Sequence, residues 1–206
     1  MWETRHEGDP EAASRMAIKP ALKVLADLRR EDQIVVTHMG SAREWPRLGR
    51  HPFDFHFVPS TMGGAIPLGL GLALAQPRRE VLVCSGDGAL LMNLGCLITV
   101  VASRAANLSI VVIDNGVYEV TGGQKTPSRL AETDFAGLAR GAGFPNVAHF
   151  WNLTDLQQRL PDILRARGPR FIWLEIEPLR DDYQLDPPVP MREQVAQLRA
   201  ALRKSP

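Results

Sequence analysis

The sequence predicts an α/β fold of three layers: a doubly wound, mostly parallel sheet with helices on both faces. Three observations predict it. Short runs rich in β-branched residues alternate with stretches of apolar and charged residues at helical spacing. The runs are largely apolar, as in strands covered on both faces. Glycine-rich turns follow several of them directly, where ligands of open parallel sheets sit.

Residues 1–14 are polar and read as a disordered lead-in, so the folded domain is expected over 15–178. Residues 16–30 have helical periodicity, and strands are expected at 34–36, 55–58, 81–84 and 108–113. Helices are expected at 64–75, 90–103 and 135–141, with a strand at 147–150. Residues 153–167 read as a helix capped by Thr154 or Asn152, with Pro161 expected to kink it. A last strand is expected at 171–176; residues 179–206 form an extension in which the extended, proline-rich run 186–190 leads into a tail helix over 191–204.

The chain has 206 residues, 45% hydrophobic, and 24 Lys+Arg against 23 Asp+Glu give a net charge of +1. A chain of this size buries roughly 70% of its unfolded surface, enough for a core without staples. Balanced charge argues against a nucleic-acid or anionic-membrane partner. Cys84 and Cys96 lie in apolar runs, read as buried structural thiols, and do not provide the roughly four thiolates an iron–sulfur cluster takes. The start of the chain has no apolar signal core, and no run of about 18 apolar residues occurs, so a cytoplasmic location is expected.

Chemistry concentrates in the segments after the strands. Ser85-Gly86-Asp87-Gly88-Ala89 precedes a helix, and glycines there let backbone N–H groups approach a phosphate. An aspartate among such amides would repel a phosphate unless a cation lay between, which suggests Mg²⁺ bridging a diphosphate. Asp114-Asn115-Gly116-Val117-Tyr118 follows the next strand. A crossover of that length lets Asp87 and Asn115 face one ion from adjacent strand ends.

With these residues, the chain resembles thiamine-diphosphate enzymes, whose GDG…NN signature is matched by Gly86-Asp87-Gly88 and Asp114-Asn115, with Asp114 in place of the first Asn. The resemblance implies that the Asp87 carboxylate, the Asn115 side-chain oxygen and the Val117 carbonyl ligate Mg²⁺, with diphosphate oxygens and a water. It implies cofactor contacts at Gly86, Gly88, Ala89 and Tyr118. Ser60-Thr61-Met62-Gly63-Gly64 resembles the segment that holds the aminopyrimidine, with the Ser60 carbonyl as acceptor, Met62 as apolar buttress and Gly63 beside them. His38-Met39-Gly40-Ser41 resembles a segment lining the diphosphate, with Gly40 and the Ser41 hydroxyl as candidate contacts; His38 reads either as an acid–base residue or as a structural histidine.

The resemblance covers the folded chain and corresponds only to the diphosphate-binding domain. In that superfamily the glutamate that activates the cofactor belongs to a separate pyrimidine-binding domain, so a partner subunit supplying it is implied, together with a homo- or hetero-oligomer. Residues 86–95 with Asp114-Asn115 and Thr121-Gly122-Gly123-Gln124 look most like the sulfopyruvate decarboxylase β-subunit and phosphonopyruvate decarboxylase family, which decarboxylates a small 2-oxo acid bearing a second anionic group. Two alternatives stand beside it: the β subunit of another 2-oxo acid-converting enzyme with this cofactor, and a non-catalytic cofactor-binding module. Thr121, Gln124 and Lys125 are candidates to meet the substrate, or form a solvated loop.

Overall fold

Successive strand residues divide between two apolar layers. Val81 and Val83 pack into one cluster with Ile34, Val36, Ile110 and Phe171, while Leu82 and Cys84 pack into the other with Val35, Val111 and Ile172. That alternation is the period of two of a pleated strand, and it demands cover on both sides. The structure is a computed structural model that describes residues 15–179 and 189–204. The predicted lead-in at 1–14 and residues 186–188 of the proline-rich run lie outside the described residues.

The chain runs α1 (Ile18–Asp27), β1 (Ile34–Thr37), α2 (Gly40–Glu44), β2 (Asp54–His56), α3 (Ala65–Ala75), β3 (Val81–Gly86), α4 (Asp87–Leu91), α5 (Cys96–Ser103) and β4 (Leu108–Asp114). It continues through a small hairpin of β5 (Val117–Tyr118) and β6 (Gln124–Lys125), α6 (Pro127–Leu130), α7 (Phe135–Ala142), β7 (Asn146–Phe150), α8 (Leu153–Arg165), β8 (Arg170–Glu175) and α9 (Met191–Lys204). Six strands form one sheet in the order β2-β1-β3-β4-β8-β7, and every pairing in it is parallel. Helices α3, α5, α7 and α9 cover one face, and α1 and α8 cover the other. This is the predicted doubly wound, three-layer α/β fold.

Several boundaries differ from the sequence reading. The expected helix over 90–103 is two helices, α4 starting earlier at Asp87 and α5 starting at Cys96. The intervening turn is held from outside, because the Asn93 side-chain amide donates to the Gly63 carbonyl at 3.1 Å. Asn152, not Thr154, caps α8, accepting from Asp155 N–H at 2.8 Å. Pro161 stands inside α8 and does not end it: the helix runs from Leu153 to Arg165. The hairpin β5–β6 and the short α6 were not predicted. Tail helix α9 docks back on the sheet edge, where Gln194 Oε1 accepts from the His56 N–H of β2 at 2.8 Å. No helix among the described residues is long and apolar enough to cross a membrane.

Candidate cofactor cleft

Parallel pairing sets the carboxyl ends of β1, β3 and β4 side by side, with Gly86 opposite Ile113 in register. The segments leaving those ends therefore converge on one cleft. Its walls come from His38 to Ser41 after β1, Gly86 to Ala89 after β3, and Asn115, Val117 and Tyr118 after β4, with Met62 across from them. Ten of the twelve residues expected to contact a cofactor line it; Ser60 and Gly63 do not. Ser60 stands one contact behind, its Oγ 2.7 Å from His38 Nε2. Gly63 takes φ +84°, and a Cβ there would lie 2.8 Å from Asn93 Cβ, so it fixes the turn rather than the wall.

Asp87 is the electrostatic centre. It is 2% exposed, and its Oδ2 accepts from Thr126 Oγ1 at 2.9 Å and from Ser128 Oγ at 3.4 Å. Burial, and then the nearby Asp114 carboxylate, push its carboxyl up to about 7. Asp114 is also raised, by burial first, although Trp173 Nε1 donates to its Oδ2 at 3.0 Å. A buried and a half-buried carboxyl that resist ionisation together make a place where a cation would relieve the repulsion.

The donors present suit magnesium held partly by phosphate. No group of three or more His, Cys, Asp and Glu that could hold a metal occurs among the described residues. Asp87 and Asn115 bring hard oxygens, and Mg²⁺ is commonly held by one or two carboxylates plus phosphate oxygens and water. The Asn115 side chain is oriented by its own turn, its Oδ1 accepting from Val117 N–H at 3.0 Å. A Cβ on Gly86 would meet nothing closer than Ile113 O at 3.9 Å, so the glycine keeps backbone open toward the cleft. Gly88, which also lines the cleft, makes room for a ring: a Cβ would lie 2.4 Å from Tyr118 Cε1, so the tyrosine packs on it.

Two expectations change in detail. The Ser41 hydroxyl lines the cleft, but its hydrogen points to the carbonyls of His38 at 2.8 Å and Cys84 at 3.0 Å, so it braces the β1 turn. Gln124 and Lys125 are exposed and outside the cleft; Gln124 bonds Thr121 instead, its Nε2 2.7 Å from the Thr121 carbonyl. The sequence reading missed Thr126 and Ser128, whose signal was faint: two hydroxyl residues just beyond a Gly-Gly turn. It also missed the apolar wall of Ile18, Ile113 and Ile176.

Residues 37–174 match the family described as thiamine pyrophosphate enzyme, C-terminal TPP binding domain. The chain is 39% identical over 167 residues to a phosphonopyruvate decarboxylase of Streptomyces viridochromogenes, a match covering 81% of this chain and 41% of that protein. It is 39% identical over 149 residues to sulfopyruvate decarboxylase subunit beta of Methanothermobacter thermautotrophicus, covering 72% of this chain and 76% of that subunit. The fold also matches the crystal structure of benzoylformate decarboxylase from Polynucleobacter necessarius, with a TM-score of 0.69 at 18% identity over 86% of this chain and 35% of that one. The match thus spans less than half of the length of the phosphonopyruvate decarboxylase.

Proposed function

Since the chain belongs to the thiamine pyrophosphate enzyme family through its C-terminal TPP binding domain, we propose that it anchors thiamine diphosphate and Mg²⁺ for a 2-oxo acid decarboxylase acting on 3-sulfopyruvate or 3-phosphonopyruvate. The observation that carries this reading is the buried Asp87, with its raised carboxyl beside Asp114, one strand end away from Asn115. Kinship with a phosphonopyruvate decarboxylase and a sulfopyruvate decarboxylase β subunit supports the substrate class.

In this reading the Asp87 carboxylate, Asn115 Oδ1 and the Val117 carbonyl hold the ion. Gly86 leaves room for the diphosphate, and the Ser60 carbonyl and Met62 position the pyrimidine end. Ile18, Ile113 and Ile176 keep that side of the cleft dry, which strengthens the charge interactions within it. Thiamine diphosphate, when bound, supplies the carbon nucleophile and the electron sink for loss of CO₂.

The activating glutamate is assigned to a pyrimidine-binding partner, so the chain alone is expected to be inactive. The acidic side chains nearby are engaged elsewhere: Glu119 Oε1 accepts from Leu179 N–H at 2.9 Å, and Glu175 bonds His149 at 2.7 Å and Arg15 at 3.0 Å. A complex of two such subunits is soluble and cytoplasmic in this reading. Acetolactate synthase isozyme 2 large subunit of Escherichia coli, 29% identical over 91% of this chain, keeps a different conversion as the second reading.

Calorimetry with thiamine diphosphate and Mg²⁺ tests the proposal. The native chain should bind in a magnesium-dependent way and Asp87→Ala should not; equal binding by both would end this reading. Turnover assays with the partner added should then favour 3-sulfopyruvate or 3-phosphonopyruvate over pyruvate.

A further inference from the structure

His38 is 1% exposed, follows β1 directly and lines the cleft. Its Nε2 lies 2.7 Å from Ser60 Oγ, whereas its Nδ1 is buried without a hydrogen-bond partner. The backbone there is locked, because its N–H donates to Ser41 Oγ at 3.0 Å and its carbonyl accepts from the same hydroxyl at 2.8 Å. The ring also rests against Phe57, with centroids 5.9 Å apart. The fold does satisfy a neighbouring buried imidazole: His56 Nδ1 has Thr37 Oγ1 at 2.7 Å. An unmet buried polar nitrogen costs about 1–3 kcal/mol and points to a missing partner.

We propose that His38 Nδ1–H is a neutral hydrogen-bond donor to bound thiamine diphosphate, with Ser60 Oγ–H donating to Nε2 and so selecting that tautomer. The inference rests on the cofactor reading of the cleft. Burial lowers the His38 pKa to about 4, so near neutral pH one ring nitrogen carries a hydrogen and the other does not. Once Nε2 accepts from Ser60, Nδ1 is the donor. Diphosphate oxygens and pyrimidine nitrogens are acceptors, and Gly40 of the diphosphate segment lies on the same turn. A donor without charge adds direction while leaving the balance between Mg²⁺ and diphosphate unchanged. His38 is thereby a positioning residue for the cofactor, neither purely structural nor an acid–base group.

Substitution separates the two nitrogens. An asparagine amide falls near the Nδ1 position and a glutamine amide near Nε2. In calorimetric titration with thiamine diphosphate and Mg²⁺, His38→Asn should bind within about threefold of native and His38→Gln about tenfold more weakly. On the native protein, ¹⁵N-histidine spectra should show His38 protonated at Nδ1, with that hydrogen slowed in solvent exchange when cofactor is added. Equal affinity of His38→Gln and native, equal losses in both variants, or an Nε2–H tautomer in the complex would each overturn the inference. Absence of cofactor binding by the native chain would instead remove the reading of the cleft itself, and this inference with it.

Discussion

Thr126 Oγ1 donates to Asp87 Oδ2 at 2.9 Å, a contact between fully buried groups 39 residues apart in sequence. It exists because the β5–β6 hairpin turns the chain back to the end of β3, where Thr126 N–H also bonds the Gly116 carbonyl at 2.9 Å. The hydroxyl favours the ionised form of Asp87 against burial and Asp114, which both disfavour it.

Thr126→Val should therefore weaken magnesium-dependent binding of thiamine diphosphate about tenfold, since it deletes a charge-assisted hydrogen bond and makes the carboxylate harder to ionise. Thr126→Ser keeps the hydroxyl and should restore most of the affinity. Calorimetry at constant pH measures both, and native affinity in the valine variant would show that Ser128 alone orients Asp87.

Gly88→Ala should cost about 1–3 kcal/mol of stability by overpacking. The added methyl would sit 2.4 Å from Tyr118 Cε1, so the ring must move and the β5–β6 hairpin with it. Urea unfolding compared with native measures the loss. A variant of native stability with unchanged tyrosine fluorescence would mean that the ring yields freely.

Legibility in the sequence followed the range of the interactions involved. The strands at 81–84 and 108–113 were legible because a run covered on both faces is apolar at nearly every position, Ser109 excepted, whatever its partners. Asp87 and Asn115 were legible because each directly follows a strand, and parallel pairing sets those two strand ends side by side. Thr126 and Ser128 were not, since their role depends on a hairpin whose pairing local composition does not encode. The break at 92–95 was hidden for the same reason: residues 90–103 are apolar enough for one helix, and Asn93 binds Gly63 from a distant loop. Gly88 lines the cleft as expected, and its second part, making space for the Tyr118 ring, depends on a contact that local composition does not encode.

The raised carboxyl of Asp87 also sets a conflict between stability and binding. Its folded value of about 7 lies above the ordinary aspartate value of about 4, so the unliganded fold is favoured while Asp87 is protonated and loses that advantage as pH rises from about 4 to 7. Asp87→Asn is neutral throughout and escapes the loss. Above pH 7 the unliganded asparagine variant should be more stable than native by up to about 4 kcal/mol, and the gap should close toward pH 4. With Mg²⁺ and thiamine diphosphate in excess the order should reverse, because only the native carboxylate gains from ligand binding. Denaturant titrations across pH 4 to 8, with and without the two ligands, measure both halves. An asparagine variant no more stable than native at pH 8 would mean that the Asp87 carboxylate is already compensated inside the protein and is not held in readiness for a cation.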